Sequence, residues 1–247
     1  MVEMASYSMF SALLLVAAGG LLTGFFGVLA AMLERINERT AVIFIANPNN
    51  PTGTWVTADD LQQFIQQVPE QVVVVIDEAY FEYVLEPEYA DTSQWLQQYP
   101  NLIVTRTFSK IYGLAGLRLG YALSGAEIGD LLNRVRQPFN ANILALLAAR
   151  ESLLDDQFVA HSIENNLDGL KRLGQYCEQR GLFYIPSVAN FLSIDFADRA
   201  EQINQQLMQK GIIVRPIDNY QLNGFLRISI GSEFEMDRLL TALDELL

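Results

Sequence analysis

The five residues Val72-Val-Val-Val-Ile76 form an unbroken β-branched run that ends on a carboxylate pair, Asp77-Glu78. A short run with no polar residue on either side of the pleat suits a strand buried on both faces, which means a parallel sheet covered by helices. Two more runs behave alike: Ala41-Val-Ile-Phe-Ile45 leads into Ala46-Asn-Pro-Asn-Asn-Pro-Thr-Gly53, and Leu102-Ile-Val-Thr-Arg-Thr107 leads into Phe108-Ser-Lys110. Between the runs, Thr57-Ala-Asp-Asp-Leu-Gln-Gln-Phe-Ile65 reads as an amphipathic helix capped by Thr57, with Asp60 placed nearly as in a capping box. This alternation predicts an α/β fold on a mainly parallel sheet. Ligands of such sheets bind at the carboxyl ends of the strands. Asn50, Asp77 and Lys110 each lie just past a strand end and are predicted to meet on one edge.

The third run carries the most specific chemistry. Ser109 and Lys110 are adjacent, a glycine-bearing turn follows in Ile111-Tyr-Gly-Leu-Ala-Gly-Leu117, and Arg118-Leu-Gly120 completes the segment. An amine able to form an imine, a hydroxyl beside it and a guanidinium suited to phosphate are thereby concentrated in one stretch. Taken singly, each has an ordinary structural explanation. Lys110 could be a solvated surface charge, Asp77 a helix cap after a strand, Asn50 a turn residue, Tyr80 a half-buried aromatic, and Arg118 an ion-pair partner.

Jointly, and in this order, Asn47-Pro-Asn-Asn-Pro-Thr-Gly53, Asp77-Glu-Ala-Tyr80, Ser109-Lys110 with Gly113-Leu-Ala-Gly-Leu-Arg-Leu-Gly120, and Asn223-Gly-Phe-Leu-Arg-Ile-Ser-Ile-Gly231 resemble the fold-type I pyridoxal-phosphate aminotransferases. The histidinol-phosphate branch is the most similar, and the resemblance runs from about residue 40 to the C-terminus. It implies a large domain of the aspartate aminotransferase type, incomplete at its N-terminus, over residues 1–150, and a small α/β domain over 151–247. Gly120–Leu123 is then an antiparallel strand. Pyridoxal 5′-phosphate is the implied cofactor, and the implied substrates are a small amino donor, such as histidinol phosphate, and a 2-oxo acid.

Residue by residue, the resemblance makes Lys110 the imine-forming base and Asp77 the partner of the ring nitrogen. Asn50 and Tyr80 hold the ring's 3′-oxygen, Ser109 and Arg118 the phosphate. Arg227 grips the substrate carboxylate and Arg215 the substrate phosphate, while Tyr7 stacks on the ring. Relatives of this kind are homodimers of the cytoplasm, and histidine biosynthesis is the implied pathway. They also carry a glycine-acidic phosphate-cradling turn with no counterpart here, so weak cofactor binding and association through uncovered apolar surface are expected. An aromatic aminotransferase or a phospho-amino-acid decarboxylase would share these motifs, and a remnant unable to hold cofactor is the non-catalytic alternative.

Composition narrows the field. The net charge of −13 argues against a nucleic-acid partner. A single cysteine, Cys177, excludes an intrachain disulfide and suits a reducing compartment. With His161 as the only histidine, a multi-histidine metal site and a serine–histidine triad are both ruled out, and no metal is predicted. From Met4 to Leu33 there is no charged residue, so residues 10–33 also read as a candidate membrane segment. Interior glycines and the neighbouring Tyr7 favour a piece of the large domain, read as helix, Gly-Gly turn, short strand and helix, over an anchor.

The second domain is predicted as a helix over 155–180, strands at 182–185 and 190–195, and a helix over 199–210. Strands at 211–215 and 225–230 and a last helix over 233–247 complete it.

Overall fold

A computed structural model describes residues 26–247 of the chain. Tyr7 and most of the uncharged stretch lie outside them. The described residues fall into two compact units, one holding residues up to Pro48 and Trp55–Asp156, the other Asn49–Thr54 and Gln157–Leu247. The division near 156 is close to the expected 150, but the turn Asn49–Thr54, expected in the first domain, clusters with the second unit.

In the first unit, helix α1 (Phe26–Leu33) precedes strand β1 (Val42–Ala46), helix α2 (Ala58–Gln67), β2 (Val73–Asp77), β3 (Leu102–Thr107), β4 (Gly120–Ser124), α3 (Ala126–Val135) and α4 (Ile143–Ser152). The sheet order is β1-β2-β3-β4. The first three strands are parallel, and β4 runs antiparallel to β3. Thr57 caps α2 by accepting from Asp60 N–H at 3.2 Å. Leu61, Phe64 and Ile65 on the apolar face of α2 pack with Ile43, Ile45, Val74, Ile76, Leu102 and Val104.

β2 is buried on both faces, as its continuous β-branched run requires: Val74 and Ile76 are 0% exposed and Val75 6%. β1 departs from that expectation. Its Ile43 and Ile45 are buried, but Val42 and Phe44 on the other face are 45% and 52% exposed. Among the described residues no helix covers that face, so an apolar run does not by itself guarantee two-sided burial. α3 and α4 likewise leave Val135, Ile143 and Leu144 exposed. In the loop after β2, Tyr83 is buried, residues 85–88 are exposed and Asp91 is ion-paired to Arg106.

The second unit begins with α5 (Asp156–Arg180), then β5 (Tyr184–Ile185), β6 (Phe191–Asp195), α6 (Ala200–Gln209), β7 (Arg215–Pro216), β8 (Phe225–Ser229) and α7 (Glu233–Leu246). Its sheet, β5-β6-β8-β7, is antiparallel throughout. The strand expected over 211–215 is reduced to Arg215–Pro216, since Gly211 at φ +73° turns the chain out of α6 before any pairing begins. Period-two alternation sends Leu226 and Ile228 of β8 into a core with Leu192, Ile194, Leu173, Cys177, Ile203, Leu207 and Met236. Arg227 consequently faces the opposite side. A reciprocal capping box, Ser232 with Glu235, starts α7.

No helix among the described residues is long and apolar enough to cross a membrane. The Cys177 side chain is 0% exposed, and desolvation pushes its thiol up to about 12. We expect iodoacetamide at mildly alkaline pH to label Cys177 only after denaturation. Labelling of the native protein at a free-thiol rate would contradict this core.

Candidate active site

Parallel pairing sets Ala46 beside Asp77 and Asp77 beside Thr105, so the carboxyl ends of β1, β2 and β3 reach the same edge. On it lies a cleft of about 430 Å³ whose lining includes Asp77, Thr105, Thr107, Ser109, Arg118 and Tyr121. Asp77 opens onto this cleft. Thr105 Oγ1 donates to its Oδ1 at 3.2 Å. Desolvation by the strands around it raises its pKa above the ordinary carboxylate value, while the Thr105 hydroxyl, the Ala79 N–H and the Lys110 charge act in the opposite direction. The carboxylate thus sits in a partly desolvated position where a cationic ligand group would stabilise it.

Beyond β3 the chain turns sharply. Ser109 N–H donates to Thr107 Oγ1 at 3.1 Å, and Gly113, at φ +69°, returns the backbone toward β4. Lys110 Nζ stands 4.9 Å from the centroid of the Tyr80 ring, which is 4% exposed. Arg118 adopts a left-handed conformation, φ 54° and ψ 50°, and Nη1 donates to Ala115 O at 2.9 Å. Its apolar sequence neighbours do not shelter it: Arg118 is exposed on the cleft. Thr107 was not singled out by the sequence reading, although it lines the cleft with Ser109 and Arg118. Its signal was available, as the last residue of the strand three positions before Lys110.

Arg106 borders the same cleft but is committed elsewhere. Its Nε and Nη2 donate to Glu78 Oε2 at 2.9 and 2.7 Å, and Nη2 also reaches Asp91 Oδ1 at 2.6 Å. Among the described residues Arg118 forms no ion pair and leaves its charge open to an anion, whereas Arg106 is held by Glu78 and Asp91.

Asn50 belongs to the turn that groups with the second unit. After Pro48, the turn Asn49–Thr54 is closed by Gly53 N–H donating to Asn49 O at 2.7 Å and Asn49 N–H to Thr54 O at 2.7 Å. Ser193 Oγ of β6 donates to Pro51 O at 2.6 Å, and Val188 N–H to Gly53 O at 3.0 Å. These bonds hold the turn against the second unit's sheet, where Asn50 Oδ1 accepts from Arg227 Nη1. Arg227 lies over the Phe191 ring at 5.1 Å, and its buried Nε has no hydrogen-bond partner. In register, Ser193, Arg227 and the exposed Arg215 stand side by side across β6, β8 and β7. Like charges directly opposite on a sheet repel; an anion would relieve both that repulsion and the orphaned Nε–H.

The structure thus assembles Asp77, Tyr80, Ser109, Lys110 and Arg118 in the first unit, and Asn50, Arg215 and Arg227 in the second. In the second unit the Asn50 side-chain oxygen accepts from Arg227 Nη1.

Two outcomes follow. Gly53 has φ +74°, and a Cβ there would lie 1.9 Å from Ser187 Oγ. Gly53→Ala should destabilise the second unit by about 1–3 kcal/mol, measured by urea titration; an unchanged midpoint would refute the turn's role. Glu82, in the turn after β2, has its pKa raised, first by desolvation and also by Glu78, against the lowering effects of its own backbone N–H, Arg106 and the Tyr112 hydroxyl. A raised carboxyl favours folding below its unfolded pKa and loses that contribution as pH climbs through the folded value. Glu82→Gln should therefore gain stability relative to the parent as pH rises above 4.5. A stability difference independent of pH would contradict the assignment.

Residues 23–243 match the family model described as aminotransferase class I and II. Among curated relatives, histidinol-phosphate aminotransferase 2 of Pasteurella multocida is 53% identical over 219 residues, covering 89% of this chain and 60% of the relative. The protein of the same name from Pseudomonas aeruginosa is 51% identical, with 89% and 59% covered. A crystal structure of histidinol-phosphate aminotransferase from Sinorhizobium meliloti in complex with pyridoxal-5′-phosphate superposes with a TM-score of 0.79 at 34% identity, covering 89% of this chain and 60% of that one. A Thermus thermophilus aspartate aminotransferase variant, at 22% identity and a TM-score of 0.75, shares the fold. The chain spans about 60% of the length of these curated relatives.

Proposed function

The chain belongs to the class I and II aminotransferases, and from that premise we propose that it serves a pyridoxal-phosphate-dependent transaminase acting on histidinol phosphate or a related amine with 2-oxoglutarate. One observation carries the reading. A partly desolvated carboxylate, two hydroxyls and an uncompensated guanidinium line one cleft, and a lysine stands nearby over a buried tyrosine. Those groups match the three poles of the cofactor: a basic ring nitrogen, a phosphate dianion and an aldehyde. The identity to named histidinol-phosphate aminotransferases supports the choice of substrate.

When bound, pyridoxal phosphate supplies an electron-withdrawing ring that stabilises the charge left on a carbon when its proton departs. The chain's residues would do the rest. Asp77 keeps a proton on the ring nitrogen, which preserves that withdrawal. Ser109, Thr107 and Arg118 hold the phosphate through charge-assisted bonds, and Tyr80 faces the 3′-oxygen. Lys110 Nζ would be the amine that holds the cofactor's aldehyde, and as a free amine it would take the proton from the substrate's amino-bearing carbon. Arg227, oriented by Asn50, binds the substrate carboxyl or its counterpart in the oxo acid, and Arg215 binds a substrate phosphate. Tyr7 retains its proposed stacking role. A cytoplasmic homodimer is part of the same reading, supported by the exposed apolar side chains of α3 and α4.

Borohydride reduction after adding pyridoxal phosphate should fix the cofactor on the peptide carrying Lys110, and Lys110→Ala should abolish this. Arg118→Ala should weaken cofactor binding by roughly tenfold to a hundredfold, whereas Asp77→Asn should leave binding measurable and depress turnover. Labelling of a different lysine, or an Arg118→Ala variant with parental affinity, would refute these roles.

A further inference from the structure

Glu78 is the charged residue of the Asp77-Glu-Ala-Tyr80 motif to which no role is attached, and its side chain is 0% exposed. Its Oε1 accepts from Thr92 N–H at 3.1 Å and from the Thr92 hydroxyl at 2.6 Å. Its Oε2 takes both Arg106 contacts described above, so the carboxylate is fully satisfied. The Arg106 side chain, 11% exposed, is pressed flat against Phe81 at 3.6 Å and tied to Asp91. Desolvating two such charges costs several kcal/mol, and apolar residues of similar volume often do as well or better for stability alone. Stability is therefore a poor reason for this pair to sit here.

Position gives a better one. Asp77 and Glu78 are consecutive on β2 and its extension; Thr105 and Arg106 are consecutive on β3. Thr105 holds Asp77 and Arg106 holds Glu78, on alternate sides of the strands, while Glu78 N–H donates to Thr105 O at 2.9 Å between them. The two strand ends are cross-pinned above and below the sheet. One end bears Asp77, and the other continues directly into Thr107, Ser109 and Lys110.

We propose that the Glu78–Arg106 pair is a positioning device that fixes the Asp77 carboxylate relative to Lys110 and the phosphate-binding hydroxyls, so that all three poles of the cofactor are met at once. The inference rests on the cofactor assignment above. It is not a catalytic contact, because Glu78 is buried behind the cleft and Arg106 is held by carboxylates.

Two variants test it: Glu78→Gln, which keeps the Thr92 contacts, and the double apolar replacement Glu78→Met with Arg106→Met. Both are compared with the parent by urea unfolding, by pyridoxal-phosphate titration, and by ¹³C-detected titration of the Asp77 carboxyl without cofactor. A positioning pair predicts that at least one folded variant binds cofactor about tenfold or more weakly, as loss of outer-sphere partners does at other ligand sites, and that its Asp77 midpoint moves. If every folded variant titrates Asp77 as the parent does and keeps the parental cofactor affinity, the proposal is overturned. Should the parent itself fail to bind pyridoxal phosphate, the cofactor reading falls. The Asp77 titration then decides the brace alone, a parental midpoint in the folded variants overturning it.

Discussion

Parallel pairing of β2 with β3 sets Asp77 against Thr105, and the chemistry of the first unit depends on that register. A slip by one residue would turn Asp77 toward the side now occupied by Glu78 and bury it among side chains arranged for a different carboxylate. Two unlike interactions guard against it. The β-branched residues of β2 are packed on both faces, so displacement would open voids. The Glu78–Arg106 ion pair adds a directional constraint that apolar packing lacks, because a guanidinium bonds a carboxylate in few geometries. Packing supplies most of the cohesion, and the charged pair narrows the alignment.

Charge is partitioned with similar economy. Arg106 is surrounded by Glu78 and Asp91 and contributes little net field to the cleft, although it lines it. Arg118, exposed and bonded to one carbonyl, leaves most of its donors to an incoming anion. In the second unit the arginines follow the same logic: Arg227 has an amide for orientation and a buried Nε–H awaiting an acceptor, with Arg215 beside it. Neither unit neutralises the arginines that the proposed function needs.

The described residues also leave apolar surface bare. Val42 and Phe44 on β1, and Val135, Ile143 and Leu144 on α3 and α4, are exposed in a first unit whose central strand is covered on both sides. Surface of this kind favours burial against further polypeptide. All of these exposed positions lie in the first unit.

The apolar run of β2 predicted a strand buried on both faces, and its alternation with Thr57–Ile65 predicted the α/β order, but the half-exposed β1 and the two-residue strand Arg215–Pro216 show that the same signal leaves burial and strand length open. Ser109, Lys110 and Arg118 were legible as one group because they lie close together in sequence after β3, whereas Asp77, at the end of β2, joins them through the pairing of β2 with β3. The Thr57 cap of α2 was equally legible from local spacing. Tertiary structure alone decided which partners those residues take. Asn50 follows an apolar strand like the others, yet hydrogen bonds from Ser193 and Val188 draw its turn to the second unit, where it meets Arg227, 177 residues away in sequence. Arg106 and Arg118 look alike as arginines near one lysine. Only the buried Glu78 and Asp91, brought across from β2 and the loop after it, silence one and leave the other open. Propensity and periodicity act over a few residues, whereas the state of a charge depends on what the fold packs against it.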